Sequence, residues 1–96
     1  MSKLEEAREI INQVDREMIE LFIRRMAAVR LVAEYKLENG MPVLDSIRED
    51  DIKARNCDVL CNKVLEKYYL DFFEGVLNSS KEYQKYLIQE FEKKNK

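Results

Sequence analysis

Residues 4–36 read LEEAREIINQVDREMIELFIRRMAAVRLVAEYK, without a glycine or a proline. Ile11, Val14, Met18, Leu21, Phe22, Val29 and Val32 fall on one face at 100° per residue, the signature of an amphipathic helix. Ser2 and Glu5 form a capping box that starts it. Asn39-Gly40 supplies a C-cap, and Pro42 follows as a stop signal. The pattern predicts one helix to about Glu38. At 1.5 Å per residue it would be ~54 Å long. A chain this small cannot cover such a rod, so two chains are expected to wrap around each other along their first helices.

Outward from this stretch, residues 39–45 read as a loop. Asp45 or Ser46 can cap a second, short helix, where Ser46 and Glu49 give another capping-box match. That helix is expected to reach about Asn56, with 57–62 open between helix and turn. A third helix is expected from about Lys63 to about Lys93, its lysines suiting the negative end of the dipole. The whole is an all-α chain of three helices, long, short and long, in an intertwined helical homodimer. Residues 1–96 form one domain.

Composition narrows the chemistry. Charged residues make up 38% of the chain but the net charge is only −2, so the two signs are interspersed on solvated faces. No basic tract points to nucleic acid. Histidine is absent, which removes His triads, His general bases and His-ligated metals. Cys57 and Cys61 are the only thiols and do not make a zinc site; they suit a reducing cytosol. No stretch is apolar enough for a membrane span or a signal peptide. A soluble, cytoplasmic protein is expected, with no metal.

The stripes are interrupted where apolar residues belong. Arg25 and Lys36 fall near the middle of the first helix's apolar face. Snorkelling explains one such cation, but two on one azimuth must both escape the same seam. The third helix carries Phe73, Leu77, Leu87 and Phe91 at seam spacing, and Ser80 and Gln84 complete that series. Ser80 and Gln84 are one turn apart and can converge on one ligand. A polar pair that fixes helix register is the competing explanation. A buried cation needs a partner or an anionic ligand. Opposite Arg25 and Lys36, the polar pair is better explained by a pocket for a small anion. Arg48 and Glu49 follow Asp45 at the start of the short helix, and Arg48 offers a fork for a carboxylate. Arg8 lies ~25 Å from Arg25 along the axis. It is either an ordinary exposed arginine or a residue that enters the partner's pocket.

Taken together, these positions resemble the all-helical chorismate mutase family, in its free-standing, monofunctional form. The first helix carries the early arginine (Arg8), an I-x-x-x-D element (Ile11, Asp15), the mid-helix arginine (Arg25) and the late lysine (Lys36). Residues 40–50, GMPVLDSIRED, supply Pro42, Val43, Asp45, Arg48 and Glu49, and the third helix supplies the S-x-x-x-Q pair Ser80 and Gln84. The match runs from about Leu4 to Gln84. The segment 56–63 departs most from the family's usual length and composition.

The resemblance implies a homodimer with two sites, each completed by Arg8 of the partner subunit. It implies chorismate, a dianion, as substrate and its rearrangement to prephenate in phenylalanine and tyrosine biosynthesis, without a cofactor. Arg25 and the partner's Arg8 would clamp the carboxylates, with Ser80 assisting. Lys36 and Gln84 would donate to the ether oxygen. Glu49 would accept from the ring hydroxyl, the backbone near Asp45 would orient it, and Arg48 would support binding. Two alternatives remain at this point: an isochorismate pyruvate lyase on the same fold, and a non-catalytic helical module for dimerisation or ligand sensing.

Overall fold

The computed structural model describes residues 1–95 and contains three helices among them. α1 spans Lys3–Glu38, α2 spans Ser46–Leu60 and α3 spans Lys63–Lys94. α1 begins as its capping box requires, with the Glu5 amide donating to Ser2 Oγ at 3.1 Å. It ends in a Schellman turn. The Met41 amide donates to the Lys36 carbonyl at 2.8 Å, and the Gly40 amide to Leu37 at 3.4 Å. Gly40 takes φ +61°, the left-handed conformation that this closure needs. The turn sends the chain back along α1, which puts the loop carbonyls within reach of the Lys36 side chain.

Asp45 is the N-cap of α2, its carboxylate accepting from the Arg48 amide at 3.0 Å. α2 runs past Asn56 to Leu60, so the expected end near Asn56 is too early and the open stretch 57–62 is helix for its first four residues. No glycine or proline stops α2. It ends because Cys61 adopts a left-handed conformation, φ 48° and ψ 46°, as its C-cap. Asn62 immediately caps α3, accepting from the Leu65 amide at 3.1 Å. The α2–α3 hairpin therefore turns on Cys61 and Asn62.

α1 and α2 both pack on α3 and leave a gap between their own backbones. The buried side chains are Val29 and Ala33 of α1 with Phe73, Leu77, Ser80, Gln84 and Leu87 of α3. Ala33 is wholly buried, a small side chain on the face of α1 that packs on α3. α2 buries no residue completely. Polar rungs tie it to α3: Lys81–Glu49 at 3.2 Å, Lys53–Glu74 at 2.8 Å and Asn56 Nδ2 to Tyr69 Oη at 2.9 Å.

The N-terminal part of α1 buries no side chain in this core. Ile11, Val14, Met18, Leu21 and Phe22 are exposed, although they share the apolar face with buried Val29. The radius of gyration is 17.1 Å, against about 12.5 Å for a compact chain of this length. The accessible surface is 7853 Å², against roughly 5800 Å² for a compact protein of this mass. No helix among the described residues is long and apolar enough to cross a membrane.

The two left-handed positions make opposite predictions. No neighbour crowds a Cβ at Gly40, so Gly40→Ala costs only the conformational term, about 1–2 kcal/mol. Cys61→Gly relieves the same term and should stabilise by up to about 1 kcal/mol. Urea midpoints of the two variants should therefore move in opposite directions from the parent.

Candidate active site

The gap between α1 and α2 is a cavity of about 180 Å³ floored by α3. Arg25, Val29, Val32 and Lys36 form one wall, Asp45, Arg48, Glu49 and Ile52 the other, and Leu77, Ser80, Lys81 and Gln84 the floor. Seven of the eight residues singled out in the sequence thus converge, from three helices and one loop. Arg8 does not. It is exposed on the projecting part of α1, away from the cavity of its own chain.

Lys36 Nζ donates to the Val43 carbonyl at 2.7 Å and to Gln84 Oε1 at 3.0 Å. A lysine ammonium has three protons, so one stays free. Because Gln84 accepts through its oxygen, its amide nitrogen is left as a donor, and it makes no hydrogen bond within the described residues. The cavity thus holds two neighbouring donors with no internal claim on them. Gln84 and Ser80 are each only 6% exposed, so these groups work in a partly desolvated setting.

Arg25 is held differently. Its Nη1 donates to Ser80 Oγ, and Ser80 in turn donates to the Val76 carbonyl at 2.9 Å. The guanidinium also lies 5.9 Å from the centre of the Phe73 ring. Neither contact neutralises its charge. Burial pushes Arg25 below the usual arginine range, partly offset by Tyr69. Burial likewise lowers the Lys36 ammonium, with Asp45 and Glu49 pulling it back.

On the opposite wall Glu49 is engaged by Lys81, a residue that the stripe analysis does not single out. The signal for it was present: Leu77, Ser80, Lys81 and Gln84 stand at i, i+3, i+4 and i+7, one face of α3. The Arg48 guanidinium forms no ion pair among the described residues and stands exposed at the rim. Four cations (Arg25, Lys36, Arg48, Lys81) face two carboxylates (Asp45, Glu49), a surplus of two positive charges in a chain of net charge −2. Such a site suits a small dianion. No group of three or more metal-ligating side chains is gathered among the described residues.

The depressed Lys36 has a measurable consequence. It loses its proton at lower pH than a free lysine, and a bound anion restores it. Affinity for a dianionic ligand should fall as pH rises through this range. Calorimetry in buffers of different ionisation heat should show proton uptake on binding there, abolished in Lys36→Met. Binding without uptake would refute the assignment.

Comparison with known proteins agrees with this geometry. The family model described as chorismate mutase type II matches residues 7–85, which span every cavity residue. A chorismate mutase of Methanocaldococcus jannaschii is 32% identical over a 98-residue alignment, covering 100% of this chain and 98% of the relative. No solved structure matches the chain. With the match extending from the projecting part of α1 through Gln84, this chain belongs to the chorismate mutase type II family.

Proposed function

We propose that the chain, acting as one unit over residues 1–96, converts chorismate to prephenate. The observation that carries this reading is the Lys36–Gln84 pair, which leaves two adjacent donors free beside a fixed guanidinium. The reaction is a unimolecular Claisen rearrangement. It needs a folded, chair-like conformer and stabilisation of charge as the C–O bond breaks and the C–C bond forms. The site residues can supply both.

Arg25, anchored by Ser80, grips one carboxylate. Lys36 and Gln84 donate to the ether oxygen, which gains negative charge in the transition state. Glu49 accepts from the ring hydroxyl, with the backbone at Asp45 orienting that end. Arg48 at the rim supports binding of the dianion.

The second carboxylate is met by Arg8 of the partner subunit in a homodimer. The cavity of about 180 Å³ is smaller than the roughly 300 Å³ lower bound of ordinary ligand sites, consistent with a site closed by another chain. The surface excess of the single chain and the exposed Ile11, Val14, Met18, Leu21 and Phe22 favour a second copy along α1. An apolar groove of about 740 Å³ between α1 and α3 also borders Arg25. An antiparallel pairing of the two α1 helices that sets Arg8 near the partner's Arg25 has its twofold axis between residues 16 and 17. The same register brings Ile11 opposite the partner's Phe22, so apolar burial and site completion ask for one arrangement.

Incubation of purified protein with chorismate should yield prephenate, and Arg25→Ala should abolish it. Pyruvate and salicylate from isochorismate, with chorismate untouched, would overturn the reading. Lys36→Ala and Gln84→Ala should each raise the barrier by about 3–4 kcal/mol, seen mainly in kcat; an effect on KM alone would refute their roles. Arg8→Ala chains mixed with Arg25→Ala chains should recover about one quarter of parental activity. Each mixed dimer holds one intact site, and random pairing makes half the dimers mixed. No recovery, with subunit exchange confirmed, would sink the shared site.

A further inference from the structure

Lys81 has no place in the roles given above, yet it sits on the cavity floor against the one carboxylate assigned to the ring hydroxyl. Its Nζ lies 3.2 Å from Glu49 Oε2 and 3.5 Å from Oε1, straddling both oxygens. Both side chains are largely covered, 21% and 16% exposed. That separates this pair from the exposed pairs elsewhere on the chain, such as Lys85–Glu82 at 57% and 74%.

Glu49 comes from the first turn of α2, a helix without a fully buried residue to fix its rotation. A glutamate at such a place has three torsions to order and sits near Asp45, a second carboxylate. The Lys81 ammonium addresses both problems. It pins the carboxylate to α3, the rigid wall that also carries Ser80 and Gln84. It also places an opposite charge against the carboxylate in a partly covered site, offsetting the nearby Asp45. An ionised carboxylate oxygen has two acceptor sites. Glu49 can therefore keep Lys81 and still accept a hydroxyl from a ligand.

We propose that Lys81 is a positioning residue that acts through Glu49. It aims the carboxylate at the substrate's ring hydroxyl and so contributes to selection for hydroxylated over deoxy substrates. This rests on the chorismate mutase reading of the cavity. Lys81 also forms a rung between α2 and α3, so a purely structural role must be separated from it. Lys53–Glu74 is the neighbouring rung, outside the cavity; its direct contact is with Glu74, and removing it loosens α2 while taking from Glu49 only a weaker through-space charge.

The test compares Lys81→Met, Lys81→Arg, Lys53→Met, Glu49→Gln and the Lys81→Met/Glu49→Gln double variant, on chorismate and on its analogue lacking the ring hydroxyl. On chorismate, Lys81→Met should lower kcat/KM by about 10- to 100-fold, the range for losing one charge-assisted hydrogen bond. Lys81→Arg should restore most of it. Lys81→Met should have no further effect in the Glu49→Gln background, and none on the deoxy analogue. Lys53→Met should leave kcat/KM within about twofold, whatever its effect on the thermal midpoint. Equal losses in Lys81→Met and Lys53→Met, or equal losses on both substrates, would reduce Lys81 to a structural rung and overturn the proposal. Unchanged turnover in Lys81→Met would do the same while leaving the mutase reading intact. Absence of turnover in the parent protein would overturn both.

Discussion

Lys36 joins three parts of the chain through one residue. Its carbonyl closes the Schellman turn by accepting from Met41, and its ammonium donates to Val43 in the loop and Gln84 on α3. The turn, the loop path and the register of α1 against α3 are therefore set together. Both acceptors are neutral, so the ammonium is hydrogen-bonded but not neutralised. Arg25 is in the same position, held by a hydroxyl and an aromatic ring. A partly covered cation satisfied only by neutral groups still gains from an anion. The fold of the single chain thus holds two cations at one cavity through neutral hydrogen-bond partners.

The architecture explains how such a site is tolerated. Apolar burial is concentrated where α1 meets α3, around Val29, Ala33, Phe73, Leu77 and Leu87. α2 adds charge to the opposite wall and is attached by polar rungs. A partly exposed ion pair such as Lys53–Glu74 contributes little stability, often under about 1 kcal/mol, and the more covered Lys81–Glu49 pair offsets its Coulomb gain with desolvation. Their value here is geometric: they choose which face of α2 looks into the cavity. The α2–α3 hairpin turns sharply enough, on Cys61 and Asn62, to lay α2 back along α3 with Glu49 over Lys81.

Much of this was legible before any coordinate. The capping box at Ser2 and the Asn39-Gly40 end of α1 are local chemistry, and the helix obeys them. The seam on α3 is visible from spacing, and Ser80 and Gln84 are buried as that spacing requires. The end of α2 was not legible. Cys57 to Leu60 carry no strong terminator, and Cys61 takes a conformation that its residue type disfavours. Lys81 was legible only as a position on the face of Leu77, Ser80 and Gln84, not as a cavity residue. In a helix rich in charge, a lysine beside the seam reads as solvent-facing until α2 is laid over it.

The residues by themselves determined what depends on neighbours three or four positions away: where helices start, which face is apolar, and which polar side chains interrupt it. They also carried a set of residue types in order along the chain that identifies the family. Only the tertiary structure decided that Arg25 meets Ser80 and Lys36 meets Gln84, contacts 55 and 48 residues apart in sequence. It alone decided that Glu49 is held by Lys81, whereas the ~25 Å offset of Arg8 along α1 already kept that residue out of its own chain's cavity. Helical periodicity is a property of a local hydrogen-bonded repeat and can be read from spacing. The approach of one helix to another depends on how whole faces pack, and no spacing within a single helix encodes it.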